Sequence, residues 1–161
     1  MRHLITSLFL VLALATHATA KDTDRAAVDA VLDNFHKAAS EANWGTYFGL
    51  MSDDAIFLGT DAGERWDIPT FKSYALPTKG WTYTVRERHI NFTPDGNTAW
   101  FDELLDNKSY GTSRGTGVLI RTNSGWKISQ YHLTFPIPND LAAGFTKQIQ
   151  AFEKRQKAGQ K

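Results

Sequence analysis

The chain has 161 residues, a net charge of +1 and no cysteine. That length fits one domain around a single core, and the balanced charge gives no reason to expect nucleic acid as a partner. The missing thiols exclude disulfide staples, thiolate nucleophiles and thiolate metal ligands, so packing must hold the fold, and five Trp, ten Phe and five Tyr supply the means.

Met1-Arg2-His3 is a short basic start, and Leu4 to Ala15 is almost wholly apolar. This run has the length of a signal-peptide core and falls short of the roughly 20 residues of a membrane span. Ala18-Thr19-Ala20 supplies an A-x-A cleavage site. The expectation is a signal peptide over 1–20, cut after Ala20, a secreted or periplasmic mature chain, and no membrane contact after cleavage. A first helix is predicted from about Asp24 to Ala42, with Val28, Val31, Leu32, Phe35 and Ala39 on one stripe. Asn43 to Met51 predicts a second, short helix carrying Trp44, Tyr47 and Phe48. Ala55 to Leu58 reads as a buried strand, and Asp61-Ala62-Gly63 as a turn. Asp67-Ile68-Pro69, with a capping side chain and an early proline, starts a third helix running to about Tyr74.

Beyond Pro77 the pattern becomes extended. Trp81 to Phe92 and Thr98 to Leu105 flank a Thr93-Pro94-Asp95-Gly96-Asn97 turn; a strand from about Ser113 to Arg121 follows, then a last one ending near Thr134. Asn139 or Asp140 caps a final helix with an apolar face of Leu141, Phe145, Ile149 and Phe152 and a basic tail, over 139–161. Helices first and long hairpin-joined strands after them make an α+β fold. The expected architecture is a curved antiparallel sheet, cone-shaped, with N-terminal helices over its concave face.

The order of elements and motifs resembles the nuclear transport factor 2-like superfamily, in particular its SnoaL-like branch and the neighbouring calcium/calmodulin-dependent kinase association-domain branch. The resemblance covers roughly Ala26 to Pro138 within a domain set at 21–138. It rests on Asn43-Trp44, on Asp53 through Asp61, on Gly63-Glu64-Arg65-Trp66, on Ala99 through Glu103, on Arg114 through Leu119, and on Gly125-Trp126-Lys127-Ile128 with His132-Leu133-Thr134. It implies a cystatin-like roll whose open end is a pocket, a homodimer packed through the sheet, acid–base chemistry where there is catalysis, and no metal or organic cofactor.

Strict alternation along Gly125–Thr134 puts Trp126, Ile128, Gln130 and His132 on one face. His132 is then the candidate proton carrier, since imidazole alone titrates near neutrality. Asp61 and Asp102 are the candidate carboxylates to work with it. Glu64 and Arg65 flank Trp66 in the loop after the buried strand; Arg65 suits an anionic ligand group, and Glu64 equally reads as a solvated partner of Arg65. Asp102 and Glu103 point to opposite faces, with Trp100 beside Asp102 and Phe101 beside Glu103, and periodicity leaves open which is inward. Arg114 is the expected partner of the inward carboxylate. Trp44, Tyr47, Arg65, Trp66, Trp100, Arg114, Trp126 and Gln130 complete the expected ligand contacts. The five histidines lack ligand spacing, so no metal is expected. Three functions stay open: a small-molecule-binding protein, a cofactor-independent isomerase, cyclase or dehydratase using His132 with a carboxylate, and a homo-oligomerisation module.

Overall fold

The computed structural model describes residues 22–159. The signal peptide expected over 1–20 lies outside them. Helix α1 spans 22–40, and its inner face is the expected stripe: Val28, Leu32, Phe35 and Ala39 are all buried. Asn43 caps α2 (Trp44–Gly49), its side chain accepting the Thr46 N–H at 3.2 Å. Asp67 caps α3 (Ile68–Ala75) in the same way, accepting from the Thr70 N–H at 2.9 Å, with Pro69 in the first turn.

Six strands form one curved sheet: β1 (Met51–Leu58), β2 (Arg65–Trp66), β3 (Thr84–Phe92), β4 (Thr98–Asn107), β5 (Gly111–Thr122) and β6 (Gly125–Thr134), in the order β2-β1-β6-β5-β4-β3. The sheet is open, since β2 and β3 stand at its two edges. β1 runs parallel to β6 and every other pairing is antiparallel. β1 starts at Met51, earlier than the apolar run suggests, because Met51 pairs with Ile128 while the polar Ser52–Asp54 stretch crosses a register shift. β3 starts at Thr84, later than the β-prone run suggests. The Trp81 N–H is spent instead on the Ala39 carbonyl at the end of α1, at 3.1 Å.

Two features of the sheet place the site. On β4, Phe101, Glu103 and Leu105 face the core, and Trp100 and Asp102 face out. On β6, Ile128 pairs with Leu119 but Gln130 pairs with Val118, so Ser129 is an extra residue, a β-bulge. A bulge reverses the face parity of everything after it. Trp126 and Ile128 are buried as expected, but beyond the bulge Tyr131 takes the inner face, and Gln130 and His132 do not.

Helix α4 (Asn139–Gly159) forms where expected, yet none of its residues is buried, and its apolar stripe of Leu141, Phe145, Ile149 and Phe152 faces outward.

Candidate functional site

The concave side of the cone holds two regions. The deeper one is a polar cluster around Glu103, which is fully buried. Its position follows from hairpin register. Counting outward from the turn closed by the Thr93 N–H and Thr98 carbonyl brings Arg88 opposite Glu103. Arg88 Nε donates to Glu103 Oε2 at 2.8 Å. From β6, the Tyr131 hydroxyl donates to Glu103 Oε1 at 2.9 Å. From α1, His36 Nε2 reaches the same oxygen at 2.7 Å. An ionised carboxylate only accepts, so Nε2 carries the ring proton in that bond. Arg88 Nη1 continues outward to Asp33 at 2.8 Å and Asp29 at 3.1 Å.

The electrostatics follow from these contacts. Burial alone raises the Glu103 carboxyl pKa, but the His36 bond and charge, and then Arg88, outweigh it and hold it below the ordinary carboxylate value. Glu103 is therefore an anion in a dry site with three donors. Arg88 has the matching balance: burial pulls its pKa down, and Glu103, then Asp33 and Asp29, push it above its usual value. Burial, reinforced by Glu103, raises Tyr131, which stays a phenol. Gly115, opposite Glu103 on β5, makes room for the cluster: a Cβ there would run into the Tyr131 hydroxyl and Glu103 Oε1.

The outer region is an open pocket of about 350 Å³, at the small end of ligand-site volumes of roughly 300–1,000 Å³. Its lining includes Phe57 from β1, Trp66 from β2, and Phe71 and Tyr74 from α3, together with Trp81, Tyr83, Tyr110, Leu133 and Phe135. The rings pack on one another, with Trp66 at 4.6 Å from Tyr74 and Tyr110 stacked on Phe135 at 4.7 Å. Polar groups come from Thr60, Glu64, Thr78 and Tyr83. Burial, then the neighbouring Tyr110 and Tyr74, push the Tyr83 phenol up to about 12, so it stays a neutral hydrogen-bonding group. A second void of about 10 Å³, room for about one water, borders His36, Tyr47 and Tyr131, and shares Phe57, Trp81, Tyr83 and Leu133 with the pocket. Those shared side chains form the wall between the polar cluster and the pocket. The Tyr47 hydroxyl, fully buried beside this void, has no hydrogen-bond partner among the described residues.

The expected site residues disperse. Trp66 lines the pocket. His132 does not, because the Ser129 bulge turns it away and brings Leu133 in; Gln130 is displaced for the same reason. Asp102 is on the outer face, paired with His89 Nδ1 at 3.3 Å, and Trp100 beside it is 46% exposed. Asp61 is an exposed turn residue whose N–H donates to Glu64 Oε2 at 3.1 Å, so it positions a pocket carboxylate without being one. Arg65 is exposed, next to that turn. Arg114 pairs in register with Leu104 and is exposed; the cation on Glu103 is Arg88. Trp126 is core, under the Arg121 guanidinium at 4.5 Å from its ring centre. Trp44 packs 4.9 Å from Trp81, behind the pocket wall, and Tyr47 borders only the small void. His36, Arg88, Tyr131, Tyr83 and the open-end aromatics other than Trp66 are the residues sequence reasoning missed. Arg88 alone had a signal, in the hairpin count.

A model of the SnoaL-like domain family matches residues 28–138. Solved structures are similar in fold. A cystatin-like fold protein from Burkholderia xenovorans is 14% identical, with a TM-score of 0.62 over 72% of this chain and 95% of that one. A candidate dehydratase of the nuclear transport factor 2-like family from Streptomyces avermitilis is 21% identical, with a TM-score of 0.58 over 73% of this chain and 99% of that one. A nuclear transport factor 2-like protein of unknown function from Pseudomonas putida is 13% identical, with a TM-score of 0.61 over 75% and 90%. No curated protein matches the chain. The match over most of the cone, from the buried stripe of α1 to the prolines that end β6, shows that this chain belongs to the SnoaL-like domain family.

Proposed function

We propose that the chain is an exported small-molecule-binding protein whose ligand occupies the open end of the cone. The observation that carries this is the 350 Å³ pocket, apolar and aromatic on its walls with a few polar groups set among them. The deeper polar cluster supports the same reading. Both Glu103 oxygens are taken by protein donors, which suits a rigid floor to the pocket. Export rests on the apolar run and A-x-A site before Lys21. A homodimer belongs to the proposal as well, supported by the outward-facing apolar stripe of α4.

A second reading has one specific observation behind it. The His36 imidazole is oriented by a buried carboxylate at 2.7 Å and borders the void behind the pocket wall. Cofactor-independent acid–base catalysis would use that imidazole, with the ligand's reacting atom within ~2.6–3.2 Å of it. The candidate dehydratase among the structural neighbours gives this reading its reaction class.

Native mass spectrometry of the protein purified from its own host tests the first reading. The expected spectrum shows a chain beginning at Lys21 with a retained small molecule, and loss of that molecule in Thr60→Trp, which fills the pocket. A retained molecule unaffected by filling the pocket, or a ligand-free chain that binds no compound from its host's small-molecule extract, overturns the reading. A ligand-bound structure with the reacting group against His36 would move the conclusion to catalysis.

A further inference from the structure

We propose that the pocket selects an organic cation, a small ammonium compound whose positive centre lies between Glu64 and the ring faces. This rests on the reading that the pocket binds a small molecule, and adds the chemical class.

Three observations carry it. First, eight of the fourteen lining residues are aromatic, and an aromatic face presents negative potential to whatever lies against it. Second, Glu64 is the one charged residue in the lining; no Lys, Arg or His contributes. The nearby Arg65 and Lys79 are exposed and outside the lining. Among the described residues, the cations that stand over rings do so elsewhere: Arg25 at Phe92, Lys72 at Phe48 and Arg121 at Trp126. Third, the Glu64 carboxylate is held in place. The Asp61 N–H bonds Oε2 at 3.1 Å, and the Glu64 side chain packs onto Gly59, where any Cβ would collide with it. Oε1 has no hydrogen-bond partner among the described residues.

These features discriminate by charge. An anion would meet a carboxylate and the negative faces of rings with no cation to offset them. A neutral apolar ligand would cover Glu64 without pairing it, which costs desolvation. A cation gains from both the carboxylate and the ring faces, and an alkylated ammonium sheds its water more readily than a bare one.

The test is tryptophan-fluorescence titration, in which Trp66 and Trp81 are the two of the five tryptophans that line the pocket, with phenyltrimethylammonium, its neutral isostere tert-butylbenzene, and benzenesulfonate. The cation is expected to bind about tenfold tighter than the neutral isostere, and benzenesulfonate not to saturate. Glu64→Gln should weaken the cation about fivefold and leave the neutral isostere binding as tightly or slightly tighter, since an amide costs less to cover than a carboxylate. Gly59→Ala, which displaces the carboxylate without removing it, should do the same, with circular dichroism confirming the fold of each variant. Equal or tighter binding of the neutral or anionic probe, or a cation preference that survives Glu64→Gln, overturns the inference while the pocket reading stands. Failure of all three probes to saturate overturns it too, and the native mass spectrum then decides whether the pocket reading falls with it.

Discussion

Glu103 and Glu64 both sit on the concave side of one sheet, among aromatic rings, yet they are built for different ends. Glu103 is fully buried and its two oxygens receive three donors from three elements. Glu64 is half-buried, lines the pocket, and is held by a protein donor through one oxygen only. The difference teaches that burial alone does not mark a working group. A buried carboxylate with protein donors on both oxygens is part of the framework, and one with an oxygen that no protein donor takes, in a residue of the pocket wall, is available to a ligand.

The largest expected effect comes from breaking the framework member. Glu103→Gln keeps the shape but removes the charge that Arg88 and His36 face. Breaking a buried ion pair costs about 3–5 kcal/mol; here Asp29 and Asp33 still face Arg88, so about 3 kcal/mol is expected at neutral pH by urea unfolding. The pH dependence has a definite sign. The folded pKa of Glu103 lies below its unfolded value. Its stabilisation is therefore complete above the ordinary carboxylate value of 4.5 and is lost as pH falls through the depressed folded value. The gap between wild type and Glu103→Gln should close in acid. A gap constant from neutral pH down into that acid range would show that charge is not what Glu103 contributes.

Gly115→Ala sharpens the comparison from the opposite strand. The added methyl meets the Tyr131 hydroxyl and Glu103 Oε1, and overpacking of that kind costs about 1–3 kcal/mol. The cost should fall in a Tyr131→Phe background, where the hydroxyl is gone, so a double-mutant cycle would register coupling between the two sites. Strict additivity would mean that the backbone relaxes away from the clash.

The two regions were not equally legible in the sequence. The framework was partly readable. The α1 stripe, the Asp67 cap and the Thr93–Thr98 turn have local signals, and the turn fixes a register that sets Arg88 against Glu103. The alternation around Asp102 and Glu103 limited the inward carboxylate to two choices, and only packing decided between them. The pocket was mostly hidden. Its walls come from elements far apart in sequence, and Trp81 and Tyr83, which read as strand, line it from a loop because Trp81 bonds the end of α1. The Ser129 bulge left no mark at all. Gly125 through Thr134 alternates equally well with or without it, and only the pairing count against β5 reveals the extra residue. An imidazole placed inward by strict alternation therefore ends up on the other face.

That parity reversal yields the smallest and most diagnostic effect. Leu133 lines the pocket and His132, its neighbour, does not. Leu133→Ala should weaken binding of a pocket ligand several-fold, because it removes a wall shared by the pocket and the inner void. His132→Ala should leave the same binding constant within about twofold, as expected of a half-buried side chain outside the lining. The pair is read in one titration with the same ligand, so any general loosening of β6 affects both and cancels in the ratio. If His132→Ala abolished binding and Leu133→Ala did not, the strand would have to run without its bulge. Tyr131 would then turn outward, and Glu103 would lose the hydroxyl that now meets it at 2.9 Å. The ligand-binding difference between two adjacent residues thus tests the geometry of the pocket and of the buried cluster together.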